Sequence, residues 1–296
     1  MDSSRIPVTK AWKLFIGGQF PRSESGRTDV VRGARDQVLG HVARASAKDL
    51  RDAVSAARRA QSSWSRRTAY NRGQVLYRLA EMVEGKSVEF VEALRATSTL
   101  TPGRARAEVG AAVDRLVAFA GWADKHAQLL GTHNPVAGPY YNFTVPEASG
   151  VVGVLAPEAP ALLALLSLIA PPLCAGNTVV AMGSRAHPLA TVLLAEACAT
   201  ADFPGGVVNL LTGRRGDVAA TLAAHRDVDA IHAAGCGRAE RRLLEAGAAE
   251  NLKRVRLREL ASSDWFDSRR CESPDWIESF GEMKTIWHPS ASCASP

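Results

Sequence analysis

Cysteine is scarce in this sequence and carries no pattern. The five cysteines, Cys174, Cys198, Cys236, Cys271 and Cys293, are odd in number, widely spaced and contain no CxxC pair. That argues against a disulfide framework and a thiolate zinc site, and it points to a reducing, cytoplasmic setting. Histidine offers no alternative: His225, His232 and His288 lack metal-ligand spacing, so no metal is expected. An apolar leader is lacking too, since MDSSRIPVTKAWK has no hydrophobic stretch of the kind a signal peptide requires.

Charge is absent from one long stretch. From Ala159 to Ser184 there is no Asp, Glu, Lys or Arg, and that length would suffice to cross a membrane. Pro171-Pro172 is expected to break the run after about 12 helical residues, Gly176-Asn177 reads as a turn, and Thr178 to Met182 as a buried strand. The stretch therefore reads as core elements, not as a membrane span. A net charge of +6 raises nucleic acid as a partner. The arginines are dispersed, however, in pairs such as Arg58-Arg59, Arg214-Arg215 and Arg241-Arg242, and only Lys253, Arg254, Arg256 and Arg258 form a compact run. They read as solvated faces, and nucleic acid is set aside.

What is present suits a globular protein: 296 residues, 46% hydrophobic, long enough for one large or two smaller domains. Residues 1–45 read as an N-terminal arm, with Leu14-Phe15-Ile16 as a short strand before Gly17-Gly18 and a loop up to about Val30. Ser46 and Asp49 form a capping-box pattern, and Leu50, Ala53, Val54, Ala57 and Ala60 follow at helical spacing. Further helices are expected over Asn71 to about Glu84 and roughly Arg106 to Leu130, which makes the first 130 residues mainly helical. Within 131–150, Tyr140, Tyr141, Phe143 and Val145 read as an aromatic strand of a hairpin.

The next stretch specifies the fold. Strands are expected at Val151 to Leu155, Thr178 to Met182, Val207 to Leu211, Asp229 to Ala233 and Val255 to Leu257, each separated by a helix-length segment. Such alternation predicts an α/β domain over 46–260, with a Rossmann-like, open, mainly parallel five-stranded sheet and helices on both faces. Ligands of such sheets sit at the carboxyl ends of the strands. Here those ends carry Ala156 to Pro160, Gly183 to Arg185, Thr212 to Gly216 and Ala234 to Gly237.

The stretches LFIGGQFPRSESGRT, ASAKDLRDAVSAARRAQSSWS, GVVGVLAP, LIAPPLCAGNTVVA, HPLATVLLAEACATADFPGGVVNLLTG and NLKRVRL, in this order, resemble the coenzyme-binding half of the aldehyde dehydrogenase superfamily. The resemblance covers nearly all of Leu14 to Leu260. It implies NAD or NADP as coenzyme, held in a degenerate cleft formed by Met182, Ser184, Arg185, Gly213, Gly216, Gly235 and Cys236. The family's Pro-Trp-Asn-Phe-Pro, whose asparagine stabilises an oxyanion, is Ala156-Pro157-Glu158-Ala159-Pro160 here, and a carboxylate would repel that charge. Its ribose-binding Lys-Pro-Ala-Glu becomes Met182-Gly183-Ser184-Arg185, in which Met182 donates no hydrogen bond. Arg185 would suit the 2′-phosphate of NADP, but it reads first as a surface arginine. The general-base glutamate falls on Arg258, with Glu259 one residue out of register.

The resemblance also implies a catalytic domain on the order of 200 residues after Leu260. In its place SSDWFDSRRCESPDW leads into IESFGEMKTIW, similar to the family's terminal strand. Residues 261–296 thus read as a linker with a strand remnant, as though the catalytic domain were excised. Glu259 and Cys271 are the remaining catalytic candidates, and Cys271 reads as a free surface thiol. Strands near Tyr140–Val145 and Met283–Trp287 match the family's oligomerisation elements, so a protein partner or self-association is expected there. The resemblance supports a non-catalytic module, akin to the degenerate module of two-module members; the alternative is an NAD(P)-dependent oxidoreductase that converts aldehydes to carboxylic acids.

Overall fold

The computed structural model describes residues 8–290. Three short strands come first: β1 (Lys10–Trp12), β2 (Thr28–Arg32) and β3 (Val38–Ala43), ordered β1-β3-β2. This sheet was not expected. The strands bury little beyond Val31, Val42 and Ala43, so their apolar alternation is faint in sequence. Leu14-Phe15-Ile16 forms isolated bridges only, Phe15 with Leu210 and Ile16 with Gln19.

The helical layer follows as α1 (Ala47–Ser65), α2 (Ala69–Gly85), α3 (Ser87–Ala96), α4 (Pro102–Trp122) and α5 (His126–Leu130). Ser46 caps α1 by accepting from Lys48 and Asp49 N–H, and Asp49 accepts back from Ser46 N–H at 2.8 Å. The helix α3 was missed, and α4 starts earlier than expected because Thr101 caps Arg104 N–H and Pro102 suits the first turn.

The chain then runs through β4 (Thr132–Asn134), β5 (Tyr140–Ala148), β6 (Val151–Leu155), α6 (Ala161–Cys174), β7 (Thr178–Met182), α7 (Pro188–Thr200), β8 (Val208–Leu211), α8 (Arg215–Ala224), β9 (Ala230–Ala234), α9 (Arg238–Ala249) and β10 (Arg254–Arg258). The five-stranded sheet is parallel, in the order β10-β9-β6-β7-β8. Its inner strands are buried on both faces: Val152, Val154, Val179 and Ala181 pack with α6, and Val151, Leu155, Val180 and Met182 pack on the side of α1. On the α1 side, Thr178 Oγ1 donates to Ala57 O at 3.2 Å.

Pro171-Pro172 does not end the helix: α6 continues to Cys174 with every residue buried. The freed Leu168 carbonyl, which Pro172 cannot bond, accepts from His232 Nδ1 at 2.9 Å. Among the described residues no helix is long and apolar enough to cross a membrane.

The tail contributes α10 (Ser268–Cys271), α11 (Asp275–Glu278) and β11 (Gly281–Pro289). Residues Trp265, Cys271, Trp276, Ile277 and Phe280 are buried in the main core, so the segment read as a linker packs against the domain. The strand β11 pairs antiparallel with β5 over its full length, from Gly281 opposite Ala148 to Pro289 opposite Tyr140, and β4 completes a second three-stranded sheet.

Candidate functional site

Chain order in the main sheet reverses between β6 and β9, because β6-β7-β8 run outward in one direction and β9-β10 in the other. A crevice at the carboxyl ends of those two strands is where a ligand of this architecture sits. Its floor is occupied by the side chain of Arg215, the first residue of α8. Arg215 Nη1 donates to Ala156 O at 3.1 Å and Ala234 O at 2.9 Å, bridging the ends of β6 and β9. Its Nε donates to Glu240 Oε1 at 3.0 Å, and its Nη2 to Glu240 Oε2 at 2.9 Å and Cys236 Sγ at 3.2 Å. This arginine is not the solvated residue its Arg214-Arg215 pairing suggests. Burial pushes the Cys236 thiol pKa up, against the pull of Arg215.

Two of the glycines singled out are required by their backbone. Gly235 has φ +65°, and a Cβ there would lie 3.0 Å from Pro157 Cβ. Gly213 has φ +125°, with Ala45 N 3.0 Å from the place of a Cβ. Gly216 lies in α8 and faces open space.

The remaining cleft candidates do not converge on Arg215. Met182 is buried at the end of β7 against the α1 side of the core. Ser184 Oγ lies 2.9 Å from Glu158 O and 2.8 Å from Glu158 Oε2, and it accepts from His187 N–H at 3.0 Å. Glu158 Oε2 also accepts from Ala186 N–H at 2.8 Å, so this carboxylate is tied into the loop after β7. Arg185 lines a separate cavity of about 340 Å³ with Gly213, Arg214 and Asp29. Another cavity, of about 630 Å³, lies between α3, α4, the start of α6 and residues 262–266. Glu108 on its wall caps α6 by accepting from Leu162 N–H at 2.8 Å, and burial raises its pKa.

The two catalytic candidates also lie apart. Glu259 follows β10, is exposed and pairs with Arg241. Cys271 is buried in the main core with Trp265 and Trp276, not a surface thiol; its Sγ donates to Asp264 O at 3.4 Å, and burial raises its pKa. Arg258 ends β10 with its guanidinium 4.0 Å over the Trp276 ring, and its Nε donates to His232 Nε2 at 3.1 Å. Burial lowers the Arg258 pKa to about 10. The position implied to hold a general base therefore holds a cation under an indole ring. No metal-binding group of histidine, cysteine and carboxylate side chains occurs among the described residues.

Sequence reasoning missed Arg215 with Glu240, and Arg115. The last donates to Ser167 Oγ, to Trp265 O at 2.9 Å and to Glu272 Oε1 at 3.2 Å. The acceptors are far apart in sequence, and no local pattern marks either arginine. The Arg215 guanidinium thus lies at the carboxyl ends of β6 and β9, where a ligand of this architecture would approach the sheet.

The family model for the aldehyde dehydrogenase family matches residues 20–264. Retinal dehydrogenase 2 of Gallus gallus is 35% identical over 257 residues, covering 84% of this chain and 48% of that protein. Mitochondrial benzaldehyde dehydrogenase of Antirrhinum majus is 34% identical over 250 residues, covering 83% of this chain and 46% of its own length. The NAD+ complex structure of aldehyde dehydrogenase from Bacillus cereus superimposes with a TM-score of 0.79 at 28% identity, covering 84% of this chain and 50% of that one. The chain spans about half the length of the curated relatives it matches. With the parallel sheet, its switch point and these matches in agreement, the chain belongs to the aldehyde dehydrogenase family.

Proposed function

We propose that this chain is the coenzyme-domain half of an aldehyde dehydrogenase-type oxidoreductase, one that serves NAD(P)-dependent oxidation of aldehydes to carboxylic acids. The observation that carries the reading is the crevice at the β6/β9 switch point in a sheet that matches a relative solved with NAD+. When bound, the coenzyme would supply the hydride acceptor. The first turns of α8 and α9 would face its phosphates with backbone N–H groups. The cavity of about 630 Å³ has the volume of a small-molecule site, with Leu94, Leu100, Pro160 and Phe266 on its walls.

The described residues do not supply the redox chemistry unaided. A thiol nucleophile needs a lowered pKa, whereas Cys174, Cys198, Cys236 and Cys271 all have theirs raised by burial. In this reading the nucleophile and the base come from another part of a longer chain or from a partner.

A second reading, a non-catalytic interaction module, is favoured by Arg215 in the crevice and Arg258 at the base position. Titration of the purified chain with NAD and NADP, beside an assay for reduced coenzyme with several aldehydes, separates the two. Coenzyme binding supports the first reading. No binding and no turnover leaves the second.

A further inference from the structure

We propose that Arg215, clamped by Glu240, is a built-in occupant of the switch-point crevice that must withdraw before a dinucleotide enters. The inference rests on the reading of this chain as a coenzyme-domain half, and it names what controls access to that site.

Three features carry it. The first is position: Ala156 and Ala234 stand at the carboxyl ends of β6 and β9, the strands between which chain order reverses, and the guanidinium bonds both carbonyls. The second is saturation. A guanidinium has five N–H donors, and the acceptors within reach are Glu240 Oε1, Glu240 Oε2, Ala156 O, Ala234 O and Cys236 Sγ. None is left for a phosphate, and the Glu240 carboxylate offsets the positive charge that would attract one. A guanidinium acting as a phosphate ligand would instead present its planar fork to the crevice.

The third is mobility in principle. Arg215 and Glu240 keep 14% and 22% of their side-chain surface exposed, so the pair is reached by solvent and is not sealed in the core. On the opposite wall Gly235 turns with φ +65°, and a Cβ there would come 3.0 Å from Pro157 Cβ and 4.0 Å from Arg215 Nη1. A crevice closed most of the time lowers apparent affinity by the fraction that is open.

The test is calorimetric titration of the full chain with NAD and with NADP in three forms: unchanged, Arg215→Ala and Glu240→Gln. The expected result is about tenfold or tighter binding for Arg215→Ala and a smaller gain for Glu240→Gln, which frees the arginine without removing it. Equal, measurable affinity in all three overturns the gate and leaves the coenzyme reading standing. Weaker binding by Arg215→Ala also overturns it, making the residue a phosphate ligand. Absence of binding in every form at millimolar coenzyme overturns both. Should Arg215→Ala fail to fold, Glu240→Gln decides alone.

Discussion

The Nδ1 of His232 lies 2.9 Å from the carbonyl oxygen of Leu168, which Pro172 leaves without its helical donor. That bond sets the tautomer, with the proton on Nδ1 and an Nε2 lone pair free to accept from Arg258 Nε at 3.1 Å. Burial, and then the charge of Arg258, hold the His232 pKa well below the usual value, against the contribution of the Leu168 bond.

The sign of the pH dependence follows. An imidazole near 6.5 when unfolded and lower when folded binds more protons in the unfolded chain below about pH 6.5. Its contribution is fully present above that pH and declines below it, by up to about 1.4 kcal/mol per pH unit. His126, His187 and His225 shift in the same direction through burial. Urea unfolding should therefore show falling stability from about pH 6.5 downward, with a shallower decline in His232→Gln. An identical slope in the variant contradicts this.

Replacing Arg258 with glutamate restores the carboxylate that the family resemblance places there. It should not restore dehydrogenase activity. It should instead destabilise the chain by roughly 1–3 kcal/mol, through loss of the Trp276 face and of the His232 bond. Denaturant unfolding and a coenzyme-reduction assay on the same preparation check both halves.

Arg115 is nearly fully buried and ties Trp265 and Glu272 of the tail to α4 and α6. Arg115→Met leaves those acceptors without their donor, at a cost of roughly 3 kcal/mol. Amide hydrogen exchange should accelerate over residues 262–280 before the parallel sheet is affected. Uniform acceleration throughout would mean the tail has no separate anchorage.

Among the cleft glycines, Gly213→Ala should destabilise by roughly 1–3 kcal/mol, because φ +125° and the close Ala45 N leave no place for a methyl group. Gly216→Ala, in helical backbone with open space around it, should be neutral or stabilising by up to about 1 kcal/mol. Thermal unfolding of the two variants side by side makes the comparison.

The strand β11 pairs on one side with β5, and Tyr140, Tyr141, Met283 and Trp287 of this sheet are exposed. We expect concentration-dependent association through it, reduced in Trp287→Lys, by light scattering coupled to size exclusion. A monomer at all concentrations contradicts the expectation.

The parallel sheet was legible because inner strands buried on both faces are written as continuous apolar runs, and because crossovers leave little freedom of topology. The α1 cap was legible because Ser46 and Asp49 are three residues apart and bond each other. The sheet of β1, β2 and β3 was not, since its strands are short and half exposed. Of the residues named for the cleft, Gly213 and Gly235 have positive φ, Met182 is packed in the core and Ser184 bonds Glu158, geometry set by tertiary neighbours that a single sequence does not display.

By itself the sequence determined the elements whose causes are local or periodic: a capped α1, the strand-helix alternation, and family membership through motifs in order. Tertiary structure alone decided that α6 runs through two prolines, that Cys271 is buried, and that Arg215 fills the crevice. Each of these depends on a partner distant in the chain: His232 bonded to α6, Arg115 holding the segment of the thiol through Trp265 O and Glu272, Ala156 and Glu240 about the guanidinium. A buried polar group is placed by whatever satisfies it, and that partner exists only once the chain has folded.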